Sequence, residues 1–176
     1  MVKEKRMVKK LIALVAAVLL VAGDQILKFL VIHQIKPVGS VDIWPGVLQL
    51  RYVENEGVAF GMLAGARWIM VGVTSLMCLI LLLFLLLYRR HTGLSLFASV
   101  LIIAGGVGNI IDRVILGYVV DYISVSFFPP VFNFADCCIV VGVVLLLIYF
   151  LFFQDEKDQH EKLICTRPHN YRNYRR

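Results

Sequence analysis

Four aspartates lie in or beside stretches of the sequence that are otherwise strongly apolar: Asp24, Asp112, Asp121 and Asp136. Charged groups are unfavourable in apolar surroundings, so such residues are candidates for function. When two carboxyl groups share a site, the repulsion between their charges makes them hold one proton between them. One group then takes a proton from water while the other donates to a carbonyl oxygen or a leaving amine. This pattern favours hydrolysis of a peptide bond without a metal or a covalent intermediate.

Other hydrolytic mechanisms find little support in the sequence. The four histidines all lie outside the long apolar stretches: His33, His91, His160 and His169. This argues against a serine–histidine site among those stretches, and no His-Glu-x-x-His zinc motif occurs. The four cysteines are not spaced like a disulfide framework or a zinc site: Cys78, Cys137, Cys138 and Cys165. We therefore expect no metal and no cofactor, and we interpret the cysteines as small apolar side chains.

The aspartates must be positioned by helices that cross a membrane. Of the 176 residues 60% are hydrophobic, and the mean hydropathy of +0.81 is too high for an ordinary soluble domain. The apolar residues form runs of about 20, the length that crosses a bilayer core as a helix. The predicted spans cover residues 11–32, 68–88, 94–117 and 132–153. The sequence thus predicts an all-α membrane protein, with one four-helix domain over residues 1–153 and a basic tail over residues 154–176.

Basic residues indicate which side of the membrane each connection faces. They cluster before the first span, between the second and third spans, and after the fourth span: Lys3, Lys5, Arg6, Lys9, Lys10, Arg89, Arg90, Lys157, Lys162, Arg167, Arg172, Arg175 and Arg176. This asymmetry predicts that both termini are cytoplasmic. We interpret the net charge of +6 as a topology signal that also suits contact with anionic lipid, and not as a nucleic-acid site.

The first span also resembles a cleavable signal peptide, because a basic start precedes an apolar stretch. Val21-Ala22-Gly23 would be a weak cleavage site. However, the apolar stretch resumes after Asp24 and continues to Ile32, which favours a retained helix.

Helical geometry predicts that the aspartates lie in one layer. With a rise of about 1.5 Å per residue, Asp24, Asp112 and Asp136 lie roughly 21, 27 and 27 Å from the cytoplasmic ends of their spans. Because helix direction alternates, all three lie in the outer part of a core about 30 Å thick, and Asp121 follows just beyond it.

Each aspartate also has a structural explanation. Asp24 and Lys28 are four residues apart, so they can pair on one helix face. Asp112, with the arginine after it, could anchor a helix end at the interface, and Asp121 could be an ordinary loop carboxylate. Asp136 could cap the positive end of a helix dipole. The convergence of all four on one layer is a stronger signal than any single residue.

The connection from residue 33 to residue 67 is the longest outer loop and has structure of its own. Apolar and polar residues alternate over 47–54, which predicts a strand. Asn55-Glu56-Gly57 then suits a three-residue hairpin loop, with a return strand over 58–62. We expect a small extracytoplasmic β element over about residues 41–63, lying against the outer membrane surface.

Five short motifs occur in order along the chain. They are Asp24-Gln25-Ile26-Leu27-Lys28, Asn55-Glu56-Gly57-Val58-Ala59-Phe60, Gly105-Gly106-Val107-Gly108-Asn109-Ile110-Ile111-Asp112-Arg113, Val119-Val120-Asp121-Tyr122 and Phe132-Asn133-Phe134-Ala135-Asp136. This series, over about residues 23–138, closely resembles the bacterial lipoprotein signal peptidases, also called signal peptidase II.

The resemblance implies an aspartyl peptidase, a hydrolase of the bacterial inner membrane that removes the signal peptide of prolipoproteins. The cut would fall on the N-terminal side of a diacylglyceryl-modified cysteine, near the extracytoplasmic face, and globomycin would inhibit by occupying the same cleft. The implied catalytic pair is Asp121 and Asp136. The implied lining and supporting residues are Asn55, Gly57, Asn109, Arg113 and Asn133. The implied structural supports are Asp24, Lys28 and Asp112.

Two features depart from the family pattern. Cys137 and Cys138 follow the second aspartate, where the family often has a small polar residue. Only 15 positions separate Asp121 from Asp136, which predicts a tight connection with a short turn. The sequence leaves open which aspartate is the base, and a monomer would suffice for a site within one bundle.

Two other classes of function are compatible with the sequence. A small four-helix transporter could exchange protons for a cationic substrate, but its carboxylates should then lie near the membrane midplane. A noncatalytic membrane scaffold would leave the carboxylate cluster unexplained.

Overall fold

The structure, a computed structural model, describes residues 2–57, 66–88 and 91–152. Within them, four helices are long and apolar enough to cross a membrane: α1 (Val2–Leu30), α2 (Arg67–Leu87), α3 (Gly93–Ile115) and α4 (Phe134–Phe152). Four strands, β1 (Ser40–Trp44), β2 (Leu48–Asn55), β3 (Val119–Val125) and β4 (Phe128–Phe132), form one sheet. The predicted combination of four helices with a small β element is confirmed, and the predicted tail lies outside the described residues.

α1 is longer than the predicted span of 11–32. It already begins at Val2, and a π-helical turn (Val31–Ile35) continues it. The lysine-rich residues before Leu11 include no glycine or proline, and lysine is a good helix former. Pro37 then has no N–H with which to continue the helix, so the chain turns towards β1.

Both ends of α3 are closed by local hydrogen bonds. At its start, the Ser95 N–H donates to Thr92 Oγ1 at 3.1 Å and the Thr92 N–H donates to Ser95 Oγ at 3.0 Å, a capping box. At its end, Gly117 has a φ of 97°, and the N–H groups of Leu116 and Gly117 both donate to the Asp112 carbonyl oxygen, at 2.7 and 3.3 Å. This turn leads directly into β3, so residues of α3 and β3 meet at one end of the bundle.

α3 is the central helix and packs against α1, α2 and α4. Two glycines permit close approaches to α4 and α1. A Cβ atom at Gly105 would collide with the Ala135 carbonyl oxygen of α4, and a Cβ atom at Gly108 would collide with the Asp24 carboxylate of α1. Small residues at such contacts allow helices in a membrane to approach closely.

The other three helices expose large apolar side chains away from α3. Val18 of α1, Leu76 of α2 and Leu151 of α4 are 68, 58 and 70% exposed. Surfaces of this kind on long apolar helices are suited to contact with lipid chains.

The sheet is antiparallel, in the order β1-β2-β3-β4. β2 lies between β1 and β3, with Val53 opposite Asp121 and Asn55 opposite Val119. The return strand predicted over 58–62 lies outside the described residues. The predicted short turn between Asp121 and α4 is wrong, because this segment forms β3 and β4. Asp121 therefore lies on a strand and not in a loop.

Candidate functional site

Asp121 is held on β3 by two amide side chains. The residue is 1% exposed. Asn55 Nδ2 donates to Oδ2 of Asp121 at 2.8 Å, and Asn133 Nδ2 donates to Oδ1 at 2.6 Å. Asn55 is on β2, whereas Asn133 precedes α4, so Asp121 connects the sheet to the start of the last helix.

Asp136 lies in the first turn of α4, where a helix favours negative charge. Asn133 and Asp136 cap this helix reciprocally. The Asp136 N–H donates to Asn133 Oδ1 at 2.9 Å, and the Asn133 N–H donates to Asp136 Oδ2 at 3.2 Å. Asn109 Nδ2 of α3 donates to the other oxygen, Oδ1, at 2.8 Å.

Asn133 therefore contacts both carboxylates, Asp121 through its side chain and Asp136 through its backbone. Its Nδ2 also donates to Asn109 Oδ1 at 3.3 Å, and Asn133 is fully buried. The two predicted catalytic residues are thus brought into one cluster with the predicted supports Asn109 and Asn133.

Lys28 lies behind this cluster, at the centre of a buried charge network. Its Nζ is 2.9 Å from Asp24 Oδ2, 2.9 Å from Asp112 Oδ2 and 3.0 Å from Asn109 Oδ1. These contacts use all three ammonium donors. The predicted pair between Asp24 and Lys28 is confirmed, and the network extends to α3.

Asp24 and Asp112 each accept a backbone N–H beside a predicted catalytic residue. Asp24 Oδ1 accepts from Ala135, immediately before Asp136, at 3.1 Å. Asp112 Oδ2 accepts from Val120, immediately before Asp121, at 3.0 Å. The two inner carboxylates therefore fix the backbone that carries the two outer ones.

Gln25 also belongs to the network, although the sequence predicted no role for it. Its Nε2 donates to Asp112 Oδ1 at 3.0 Å, to the Gly108 carbonyl oxygen at 3.2 Å and to Asp24 Oδ2 at 3.3 Å. Its position next to Asp24 in an apolar helix could have indicated this role, because a polar amide there needs hydrogen-bond partners.

Asn55, Gly57 and Arg113 lie together at the end of β2, on one side of the site. Asn55 Oδ1 accepts from the Gly57 N–H at 3.0 Å, which directs its Nδ2 at Asp121. Arg113 donates to the Gly57 carbonyl oxygen at 3.3 Å and to the Asn109 carbonyl oxygen at 3.4 Å. Arg113 Nε is buried and has no hydrogen-bond partner among the described residues. All the residues predicted for the site thus lie in one connected cluster.

The pKa of Asp121 is raised from 3.8 to about 6, and burial is the largest cause. The hydrogen bond from Asn55 acts against this and lowers the pKa, whereas the nearby charge of Asp136 raises it further. The hydrogen bond from Asn133 also lowers it. Asp121 therefore holds a proton at pH values where an exposed aspartate has lost it.

This arrangement is suited to general acid–base chemistry. One carboxyl group that holds a proton lies near a second one at a helix start, and a shared amide residue fixes their orientation. Among the described residues, no group of three His, Cys, Asp or Glu side chains is placed to hold a metal ion. The carboxylate oxygens accept from amide, backbone and lysine N–H groups instead.

Comparisons with known proteins identify the family. A family model described as signal peptidase (SPase) II matches residues 16–152. The lipoprotein signal peptidase of Halothermothrix orenii is 38% identical over 146 residues, which is 81% of this chain and 96% of that protein. The one from Clostridioides difficile is 40% identical over 140 residues, or 79% of this chain and 94% of that protein.

Solved structures agree with these sequence matches. A structure described as a bacterial membrane enzyme aligns with a TM-score of 0.73 and 32% identity, covering 79% of this chain and 87% of that one. A second structure described as a bacterial membrane enzyme aligns with a TM-score of 0.72 and 31% identity, covering 80% of this chain and 93% of that one. The order of the motifs, the four apolar helices and these matches lead to one conclusion: the chain belongs to the signal peptidase II family of membrane peptidases.

Proposed function

We propose that this chain cleaves prolipoproteins on the N-terminal side of a diacylglyceryl-modified cysteine, with Asp121 and Asp136 as the catalytic residues. The observation that carries the proposal is that Asn133 contacts both carboxylates, at 2.6 and 3.2 Å. Asn133 fixes the relative position of the two aspartates, and their surroundings differ. Such a pair is suited to one acid and one base.

The raised pKa of Asp121 supports its assignment as the acid, and the helix start supports Asp136 as the base. Water attacks the scissile carbonyl carbon while Asp136 takes a proton from it and Asp121 donates its proton to the carbonyl oxygen. In the second step Asp136 transfers its proton to the amide nitrogen and the carbon–nitrogen bond breaks. Asp121 recovers a proton from a hydroxyl of the intermediate, which restores the starting state.

The remaining residues of the cluster support these steps. We assign Asn55, Asn109 and Asn133 to orienting the carboxylates, and Arg113 with Gly57 to lining the cleft beside them. Asp24, Lys28 and Asp112 hold α1, α3 and the two flanking backbone segments together.

The location follows from the charge asymmetry of the sequence. We propose that both termini are cytoplasmic, that the sheet and the dyad face outward from the bacterial inner membrane, and that one copy is sufficient for activity. The substrate would reach the cleft from the lipid phase, with its acyl chains remaining among the helices. The inhibitor globomycin would compete for the same cleft.

The transporter alternative is less well supported. It requires carboxylates near the middle of the bundle. Asp121 lies on the sheet, and Asp136 lies at the end of α4 next to it. Uptake of a cation into vesicles that depends on these aspartates would favour the transporter.

The test is cleavage by purified protein of a precursor that carries a diacylglyceryl-cysteine. Asp121→Asn and Asp136→Asn should each lower the rate by several orders of magnitude, and the double variant should be little worse because the two residues act as a unit. Asp42→Asn is the matched control, since Asp42 lies on β1 and contacts Gln49 instead. Globomycin should block the wild type, and an unmodified precursor should not be cut. Wild-type turnover by either dyad variant would overturn the mechanism.

A further inference from the structure

A groove between α1 and α3 lies at the end of the bundle opposite the dyad. Its volume is about 590 Å³. Ala13 and Ala16 of α1 form one wall, and Leu96 and Val100 of α3 form the other. Lys9 of α1 is also part of the lining, beside Gly93 at the start of α3.

The groove exists because α1 has short side chains where it faces α3. Protein interiors normally fill such space with side chains, but Ala13 and Ala16 leave it open. Water does not fill an apolar space of this kind favourably, because it finds no hydrogen-bond partners there. Ile12 and Leu19, which border the groove, are 61 and 67% exposed, so it opens to the outside of the bundle. For helices that cross a membrane, the outside is lipid.

The mouth of the groove is basic. Lys9 is exposed, and Lys5 is exposed one helical turn earlier on the same face of α1. Lys10 faces another direction and donates to the carbonyl oxygens of Leu86 and Tyr88 at the end of α2, at 2.6 and 3.0 Å.

We propose that this groove binds an anionic phospholipid, with an acyl chain along Ala13 and Ala16 and the phosphate at Lys9 and Lys5. Basic pockets between membrane helices are suited to anionic headgroups. A signal peptide is a poorer occupant, because its own basic region would lie beside these lysines. With the topology proposed above, the site lies in the cytoplasmic leaflet, but lipid binding itself does not depend on the proposed activity.

The experiment is native mass spectrometry of the full chain in detergent, with added phosphatidylglycerol or phosphatidylcholine of identical acyl chains. Phosphatidylglycerol should be retained preferentially. Lys9→Gln should lower its retention about fivefold, which corresponds to one basic side chain near an anionic headgroup. Arg51→Gln, which removes a charge from exposed Arg51 of β2, should have no effect.

A second pair of variants tests the groove itself. Ala16→Phe should fill the space and lower the retention of phosphatidylglycerol, whereas Val18→Phe, on the exposed side of α1, should not. If Ala16→Phe does not fold, Ala16→Leu replaces it. Both folded proteins should still cleave the precursor, which separates failure of this site from failure of the proposed activity.

Three results would overturn the proposal. One is equal retention of the two lipids by the wild type. Another is an equal loss of phosphatidylglycerol retention in Lys9→Gln and Arg51→Gln. The third is retention of phosphatidylglycerol at the wild-type level by the folded Ala16 variant. Displacement of the lipid by a synthetic signal peptide, lost in the Ala16 variant, would assign the groove to the substrate instead.

Discussion

At the scale of single residues, the four aspartates form an outer pair, Asp121 and Asp136, and an inner pair, Asp24 and Asp112. Asp121 and Asp136 accept from asparagine amides. Asp24 accepts the backbone N–H of the residue before Asp136, and Asp112 accepts that of the residue before Asp121. Moving an inner carboxylate would therefore move the backbone next to an outer one. This gives a structural role to the two aspartates that the proposed mechanism does not use in the chemistry.

The first prediction concerns the pKa of Asp121. Asn55→Ala removes a donor to its carboxylate, so the charged form loses stabilisation and the pKa should rise above about 6. The alkaline limb of the pH profile of kcat/KM should shift upward with it, because Asp121 holds a proton in the proposed mechanism. Gln49→Ala is the control, since that amide donates to Asp42. Asp136→Asn removes a neighbouring negative charge and should lower the same pKa, measured by carboxyl carbon NMR. A downward shift in Asn55→Ala would contradict the assignment.

The second prediction concerns Lys28. Lys28→Met leaves Asp24 and Asp112 buried without their cation, and breaking a buried pair in this way costs about 3–5 kcal/mol. The unfolding midpoint in detergent should fall, and activity should fall with it. Lys36→Met is the matched control, because its ion pair with Glu54 is 46 and 41% exposed and should matter little. Full stability with abolished turnover would show instead that Lys28 acts in the chemistry.

At the scale of elements, the sequence predicts the helices better than the sheet. The four apolar runs predicted α1 to α4 to within a few residues, except at the start of α1. β3 was not recognised because its first four residues are all buried and show no alternation. Its pairing with β2 joins segments 66 residues apart, as between Asn55 and Asp121, and no local pattern indicates such a partner.

The site was predicted more completely than the sheet that carries it. The motifs supplied Asp121, Asp136 and their asparagines through the family resemblance, and helical rise placed three aspartates in one layer. Spacing alone could not show that Asp24 and Asp112 accept the N–H groups of Ala135 and Val120, since these contacts depend on how separate elements pack.

The third prediction tests the contact between α1 and α3. In Gly108→Ala, the added methyl group would meet the Asp24 carboxylate, so the buried network must shift. The unfolding midpoint and the cleavage rate should both fall. Gly72→Ala on α2 is the control, because nothing lies within 4 Å of its Cβ position, and it should stabilise the helix by about 0.5–1 kcal/mol. Equal behaviour of the two variants would contradict the close packing at Gly108.

At the scale of the whole molecule, the functional cluster occupies one end of the bundle and the basic start of α1 occupies the other. α3 connects the two ends, because it begins beside Lys9 at the groove and carries Asn109 and Asp112 at the site. The orientation of the molecule in the membrane therefore decides which compartment supplies the water for hydrolysis.

The fourth prediction is that orientation. Reporter fusions at residue 55 should be active outside the cytoplasm, and fusions at residues 89–90 and in the tail should be active inside it, because basic connections remain cytoplasmic. The fusions in the basic segments serve as internal controls for the one at residue 55. A cytoplasmic position for Asn55 would contradict the proposed function, since the dyad would face the wrong compartment.

The two prolines of β4 have a consequence for how copies of the protein meet in the plane of the membrane. β4 is an edge strand, and consecutive residues of a strand direct their N–H groups to opposite sides. Pro129 and Pro130 therefore remove one donor facing β3 and one facing the open edge. A bilayer confines proteins to two dimensions, where sheets at the same height collide edge to edge. At the β4 edge the row of N–H donors is interrupted, so this edge is a poor template for pairing with a strand of a neighbouring molecule.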